Sequence, residues 1–328
     1  MPGTDTGRFR WGFIGAGNIA AKALTPAIHA SEEAVIQAVA ARNIERARAL
    51  EPVGRAYDDY AALCADPEVD GVYISLHNSA HLEWIKHALA AGKHVLCEKP
   101  LCLNEAETAE AFEAAAAADR ILVEAFWYRW HPRSRRAEQL MRDGAIGAVE
   151  EVETAFCFGG VSPGNIRLDP VLGGGALYDV GCYTISASHW ALGELAVIDA
   201  SARLSDDGVD LDTTATLSGP SGTARISCGI DSDPRDTIMI RGSSGSLEFT
   251  GAGFAARRAD AVGLRILDES GAAVEEPFGP VDAYRLMAES FARLVRGEAE
   301  FTHSPSESMQ IANTMDAVRA RTTPPAGS

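Results

Sequence analysis

The sequence predicts an α/β chain in two parts, a doubly wound parallel sheet followed by an α+β region with a mostly antiparallel sheet. Three observations carry the prediction. Apolar, strand-like runs alternate with helix-like segments from Phe9 to Glu124, which is the pattern of repeated βα units. A glycine-rich turn joins the first strand to the first helix. From Val149 onward the apolar period drops to two and turn residues separate the runs, as in hairpins. The chain has 328 residues, enough for two cores. We expect one boundary between them, giving domains 1–124 and 125–328.

Apolar residues make up 46% and charged residues 23%, ordinary for a globular protein. The formal net charge of −17 argues against nucleic acid or an anionic membrane as partner, since either needs a basic face. A local basic pocket for a phosphate remains compatible with it. The six cysteines, Cys64, Cys97, Cys102, Cys157, Cys182 and Cys228, include no Cys-x-x-Cys pair. They are expected to be small core residues rather than a disulfide framework. A short polar lead, Met1 to Gly7, runs into the first strand without a basic region and apolar core, so no signal peptide is expected. No apolar stretch reaches bilayer-spanning length. The expected location is cytoplasmic.

Phe9 to Ile14 is the first strand. It runs into Gly15-Ala16-Gly17-Asn18-Ile19-Ala20 and then a helical pattern to about Ala30. This is the G-x-G-x-x-A dinucleotide turn. Gly15 makes the tight bend, Gly17 lets a pyrophosphate approach the backbone, and Ala20 allows helix to pack closely on strand. The helix start offers N–H groups and a positive dipole end to phosphates. The second strand, Ala34 to Ala40, ends in Ala41-Arg42-Asn43. An acid there would bind the 2′-OH of NAD, whereas Arg42 suits the 2′-phosphate of NADP. The plain alternative is a solvated arginine opening the next helix.

Further helices are expected over Asn43–Leu50, Tyr57–Cys64, Leu82–Ala91 and Asn104–Ala118, and strands over Gly71–Leu76, His94–Lys99 and Ile121–Glu124. In His94-Val95-Leu96-Cys97-Glu98-Lys99-Pro100, Pro100 stops the ladder because it has no N–H to give. Glu98 and Lys99 therefore fall at the carboxyl end of a strand, where open α/β sheets bind ligands. His77 and His81 lie four apart, but His77 is in a loop and no further ligand completes a metal site, so no metal is expected. They are expected to line the cofactor cleft, or His81 to hydrogen-bond in the interior.

Ala125 to Pro132 is dense in aromatics, and Trp127, Arg129 and His131 suit a sugar or ring pocket. A domain-interface core is the other reading, and the two are compatible. Arg133–Met141 reads as a helix. Strands follow at about Val149–Phe158, Thr214–Leu217, Thr223–Ile230, Thr237–Ile240 and Ser246–Phe249. Turns are expected at 219–222, Asp233-Pro234 and 242–245. A helix from about Ala176 to Trp190 follows Gly173-Gly174-Gly175. On it Asp179 and Tyr183, four apart, share a face. Tyrosine is a poor base with a pKa of about 10, and a nearby ammonium would lower that by about 1–3 units. Lys99 is the candidate ammonium if the two domains face each other; a half-buried structural tyrosine is the alternative. Asp282–Val295 and Ser306–Arg319 read as closing helices.

These motifs together resemble the Gfo/Idh/MocA family, that of glucose–fructose oxidoreductase, inositol dehydrogenase and the rhizopine-catabolism proteins. The resemblance covers nearly the whole chain. It rests on Gly15 to Ala20, Ala91-Gly92-Lys93-His94 with Glu98-Lys99-Pro100, Glu124-Ala125-Phe126 with Tyr128-Arg129, and Gly173 to Leu177 before Asp179 to Tyr183. Tyr183 stands where many members carry histidine. That tyrosine, with the Phe126–Arg129 stretch, is similar to the branch of NADP-linked aldose dehydrogenases and dihydrodiol dehydrogenases. His77-Asn78 departs from the usual Pro-Asn, while His81 matches a histidine that members usually carry.

The resemblance implies a Rossmann domain and a second domain whose large open sheet pairs subunits into a homodimer or homotetramer. It implies cofactor contacts at Gly15, Gly17, Asn18, Ile19, Arg42, Asn78, His81 and Glu98, with NADP as cofactor and NAD as the alternative. It implies that Lys99 and Tyr183 act at the reacting carbon, that Asp179 holds the substrate or Lys99, and that the Lys99–Pro100 bond is cis. The expected activity is hydride transfer between a carbinol carbon of a sugar or cyclic diol and the nicotinamide. Tyr183 would exchange the hydroxyl proton and Lys99 would stabilise charge on the oxygen. A keto-sugar reductase and a non-catalytic NADP-binding sensor are the alternatives.

Overall fold

A computed structural model describes residues 7–256 and 260–322. Of the polar lead Met1–Gly7, only Gly7 falls within them. Contacts gather the chain into two units: one runs to Cys102 and adds Ala106–Trp127 and Asp282–Pro305, and the other joins Leu103–Glu105, Tyr128–Val281 and the chain from Ser306. A single boundary after Glu124 therefore does not describe the chain, because a late helix returns to the first unit.

The first unit alternates strands and helices in the expected order. The strands are β1 (Phe9–Ile14), β2 (Ala34–Ala40), β3 (Arg55–Tyr57), β4 (Gly71–Ile74), β5 (His94–Cys97) and β6 (Leu122–Glu124). The helices are α1 (Thr25–His29), which continues a π-helical turn over Ala20–Leu24, then α2 (Ile44–Arg48), α3 (Tyr60–Cys64), α4 (His81–Ala90) and α5 (Glu105–Ala118). All six strands pair parallel in the order β3-β2-β1-β4-β5-β6. The strand order reverses at β1, with β2 added on one side and β4 on the other, and that is the switch point at which such sheets bind ligands.

One helix expectation fails here. Tyr57 closes β3 instead of opening a helix, and Asp59 caps α3 by accepting from Ala61 N–H at 2.9 Å. A three-residue edge strand leaves too little period to be seen in sequence. Lys93 buries its ammonium on the carbonyls of Asp66 and Val69, at 2.6 and 2.8 Å, bracing the turn before β4.

The helix Ala283–Val295 (α8 in chain order) explains the late return. Its Phe291 packs its ring 5.0 Å from that of Trp11, which is fully buried on β1 beside Phe9. Burying a side chain of this size is worth about 2–3 kcal/mol, a strong tie for one helix.

The second unit is built on an eight-stranded sheet in the order β14-β13-β12-β11-β7-β10-β9-β8. Its strands are β7 (Val149–Cys157), β8 (Ala196–Leu204), β9 (Asp210–Gly219), β10 (Gly222–Gly229), β11 (Arg235–Gly242), β12 (Gly245–Thr250), β13 (Val262–Asp268) and β14 (Ala273–Phe278). All pairs are antiparallel except β7 with β10. The turn at Asp233-Pro234 is thus not a hairpin, because β7 lies between β10 and β11. β8, β13 and β14 escape the sequence reading. β8 is mostly exposed Ala, Ser and Asp, weak strand formers that pairing with β9 holds extended.

Helix α6 (Pro132–Arg142) precedes β7, and α9 (Pro305–Thr322) ends the described chain. Helix α7 (Cys182–Leu192) continues a π-helical turn over Leu177–Gly181 and packs on β7 and β10. It is buried from Cys182 to His189, so its hydroxyls must find partners inside. Thr184 and Ser188 each donate back one turn, to Gly181 O and Thr184 O at 2.8 Å. All six cysteines are buried free thiols, as expected of core residues, and burial pushes Cys64 up to about 11. Among the described residues no helix is long and apolar enough to cross a membrane.

Candidate active site

In the first unit the glycine turn has the geometry its sequence demands. Gly15 has φ +99°, and a Cβ there would stand 2.8 Å from Ser75 O, so only glycine fits. A Cβ on Gly17 would meet nothing nearer than Ser75 O at 3.7 Å, so the space before its backbone is open. Asn18 and Ile19 are exposed on the first helical turn, and Ala20 is fully buried against the sheet. This is a cradle a pyrophosphate fits. At the end of β2, Arg42 is exposed, with no hydrogen bond or ion pair among the described residues. Arg46 was not foreseen. It donates from Nη2 to Ala16 O at 2.7 Å and so clamps the glycine turn to α2. No motif in the sequence marks it, because its partner Ala16 lies 30 residues earlier.

The Glu98–Leu101 turn leaves the carboxyl end of β5, and its Lys99–Pro100 bond is cis, as expected. Three side chains fix it. Tyr73, on the neighbouring strand β4, donates to Glu98 Oε1 at 2.6 Å. His81 Nδ1 lies 2.9 Å from Pro100 O. Glu124, at the end of β6, accepts from Leu101 N–H at 2.9 Å. Burial and the Glu98 charge push the Tyr73 phenol up, so it stays a donor. Lys99 is half-buried in the middle of this braced turn.

His81 was expected to line the cofactor cleft or to hydrogen-bond in the interior, and it makes an interior bond. The ring is fully buried and burial lowers its pKa, so it is neutral with one N–H to give. The short contact to Pro100 O takes that proton. His81 therefore helps to hold the lysine turn. Asn78 opens a 3₁₀ turn, Asn78–Ala80, and is half-buried. Trp127 stacks on Tyr284 of α8 at 4.9 Å and 20° between planes.

Two further residues of the expected sugar pocket lie in the second unit. Arg129 is buried, bonded to Glu307 at 2.7 Å, with its guanidinium over the Trp190 ring. It ties α7 to α9. His131 caps α6: its Nδ1 accepts from Arg133 N–H at 3.1 Å, and burial lowers its pKa to about 4.

Tyr183 opens α7 inside an aromatic box. The rings of Phe156, Phe254 and Tyr128 lie 5.5, 5.7 and 5.9 Å from it. Phe156 and Phe254 stack in parallel at 5.4 Å, fixing the wall. Asp179 sits in the preceding π-helical turn, and π turns gather at functional sites. Its Oδ2 accepts from Arg167 Nε at 2.5 Å. The helix start is capped by Asp210, which accepts from Leu177 N–H at 2.7 Å. Phe254 and Arg167 carry no sequence signal, because each reaches Tyr183 or Asp179 only through the fold. Among the described residues no cluster of His, Cys, Asp and Glu could hold a metal ion.

The model of the oxidoreductase family with an NAD-binding Rossmann fold matches residues 9–126, and that of the GFO/IDH/MocA C-terminal domain matches residues 134–248. The chain belongs to the Gfo/Idh/MocA oxidoreductase family. A relative in it, D-xylose 1-dehydrogenase (NADP(+)) 2 of Haloferax volcanii, is 37% identical over 316 residues, 94% of this chain and 95% of that one. The mouse trans-1,2-dihydrobenzene-1,2-diol dehydrogenase is 32% identical, over 72% of this chain and 73% of its own. The crystal structure of a 3-ketoreductase from Actinomadura kijaniata with NADP and TDP-benzene superposes with a TM-score of 0.87. It is 30% identical and covers 96% of this chain and 98% of its own. The two-unit α/β fold of the family is thus the fold of this chain.

Proposed function

We propose that this chain is an NADP-dependent oxidoreductase acting on a carbinol carbon of a sugar or cyclic diol. The observation that carries the reading is the braced Glu98–Leu101 turn, which holds Lys99 at the carboxyl edge of the sheet that also bears the glycine turn. A lysine on a turn held through its three neighbours has its backbone place set before any ligand binds. The NADP-linked xylose dehydrogenase and dihydrodiol dehydrogenase relatives favour that substrate class. Operation of the same site as a keto-sugar reductase is favoured by the similarity to the 3-ketoreductase.

Gly15, Gly17, Asn18 and Ile19 would hold the pyrophosphate and Arg42 the 2′-phosphate, with Asn78 and Glu98 nearer the nicotinamide. When bound, the nicotinamide ring takes or gives the hydride. Tyr183 exchanges the hydroxyl proton of the substrate, and the Lys99 ammonium stabilises the developing charge on the substrate oxygen. Asp179 orients the substrate, and Trp127 offers it an aromatic face. The sensor alternative needs the cofactor cradle but not Lys99, Asp179 or Tyr183.

A panel of aldoses, keto-sugars and cyclic diols, followed by nicotinamide absorbance, tests this together with NADPH and NADH titrations. Turnover with NADPH bound the tighter supports it; tight cofactor binding with no turnover of any member sinks it. Tyr183→Phe is expected to lower kcat by ~10²–10⁴-fold while leaving NADPH affinity in place.

We also infer that the chain forms a homo-oligomer in the cytoplasm. The face of β7 opposite Phe156 carries Glu151 and Glu153, partnered by Arg225 and Arg241 across the sheet. Rows of both signs on one face suit pairing with a second copy. Sedimentation at the mass of one chain would remove this part of the reading.

A further inference from the structure

Arg167 belongs to no motif in the sequence, yet the second unit is built to place it. Gly174 N–H and Gly175 N–H donate to Asp169 O and Arg167 O, both at 2.9 Å, folding the glycine run back on the 3₁₀ turn Ile166–Leu168. A Cβ on Gly174 would stand 2.6 Å from Arg167 O and 2.8 Å from Asp169 O. The turn is set by Asn165, which accepts from Arg167 N–H at 3.0 Å. The guanidinium then lies 5.8 Å over the Phe158 ring, with Nε on Asp179. Phe156, on β7, packs against Tyr183, and Phe158, just past the end of that strand, lies under Arg167. Arg167 and Tyr183 are thus both backed by rings of one short stretch, and Arg167 is bonded to Asp179, one turn before Tyr183. The Arg167 side chain is 39% exposed, and its two terminal nitrogens make no hydrogen bond among the described residues.

We propose that Arg167 is a substrate-binding residue that grips the hydroxyl next to the reacting carbon, which makes a vicinal diol the preferred substrate unit. This rests on the function proposed above and deepens it. Nε fixes the guanidinium plane on Asp179. The terminal N–H groups then face the substrate as donors, and the carboxylate beside them is an acceptor. A donor and an acceptor held side by side match two neighbouring hydroxyls, each of which both gives and takes a hydrogen bond. A lysine cannot replace this arrangement, because one ammonium lacks the planar fork that serves the carboxylate and the ligand at once.

The test is a cycle between residue and substrate. Wild type, Arg167→Ala and Arg167→Lys are assayed with NADP on an aldopyranose and on its 2-deoxy counterpart, with NADPH binding measured on each protein. Wild type is expected to prefer the parent sugar by ~10²-fold or more, since a site built to bond a hydroxyl rejects the analogue lacking it. Both variants should lose most of that preference, with kcat/KM falling much further on the parent sugar than on the 2-deoxy sugar. NADPH affinity should stay put, and guanidinium ion should restore part of the activity of the alanine variant. An equal fall on both sugars, or no fall, overturns the proposal while leaving the oxidoreductase reading intact. A wild type that turns over no sugar or diol with NADP overturns both. If the alanine variant fails to bind NADPH, the lysine variant decides on the same criterion.

Discussion

At the scale of single residues, the bond a side chain already makes determines what it is free to do. His131 lies in an aromatic, basic stretch that reads as a sugar pocket, but its Nδ1 is committed to the Arg133 N–H and its ring is buried. Burial holds its pKa at about 4, against 6.5 for a free imidazole. The unfolded chain therefore takes up a proton near pH 6.5 that the folded chain refuses until about pH 4. Stability from this group is full above pH 6.5 and is lost as pH falls from there toward 4, by about 3 kcal/mol in all. His131→Asn keeps an N-cap acceptor and removes the titration. Urea midpoints at pH 7.5 and 5.0 should differ less in that variant than in wild type. An equal difference would show that His131 is not the group responsible. Arg129 follows the same logic, its charge used on Glu307. The sequence showed the residue types at Arg129 and His131 but could not show which partners they meet.

At the scale of elements, backbone contacts impose the residue type. The run Gly173 to Gly175 was legible as a turn before a helix, and the structure gives it a second task. Gly174 lies against the carbonyls of Arg167 and Asp169, two backbone atoms that cannot rotate away. Gly174→Ala must displace the 3₁₀ turn and with it Arg167 from Asp179. We expect a loss of about 1–3 kcal/mol in stability and a fall of at least ~10-fold in kcat/KM. Cofactor binding, which uses the other unit, should be unaffected. Denaturation and steady-state kinetics on the variant measure both, and unchanged kinetics would contradict the link between turn and site. Elements with strong apolar runs, β1, β2, β4 and β5, were readable because a parallel strand buried on both faces is apolar throughout. β3 and β8 were not, because edge strands owe their shape to a neighbour.

At the scale of the whole molecule, the chain crosses between its two units more than once, and long-range packing marks the crossings. α8 lies late in sequence, beyond the strands of the second sheet, yet Phe291 completes the aromatic cluster of Phe9 and Trp11 on β1. Phe291→Ala is expected to cost about 3–5 kcal/mol and to lower the melting temperature of the cofactor-binding unit. Calorimetry with and without NADPH checks this. A loss below about 1 kcal/mol would mean that α8 is held chiefly by other contacts.

What the sequence determined by itself is local or periodic. The glycine turn, the strand ending in Glu98-Lys99-Pro100 and the shift from βα units to period-two strands each lie within a short window, where steric and hydrophobic rules act on neighbours. From these the fold class, the family and the dinucleotide cradle could be read. Tertiary structure alone decided that His81 braces the lysine turn, that Arg129 and His131 are committed within the fold, and that Arg167 lies against Asp179. Each of those outcomes depends on a partner that approaches through space, and a hydrogen bond or ion pair of that kind leaves no periodic trace in the chain.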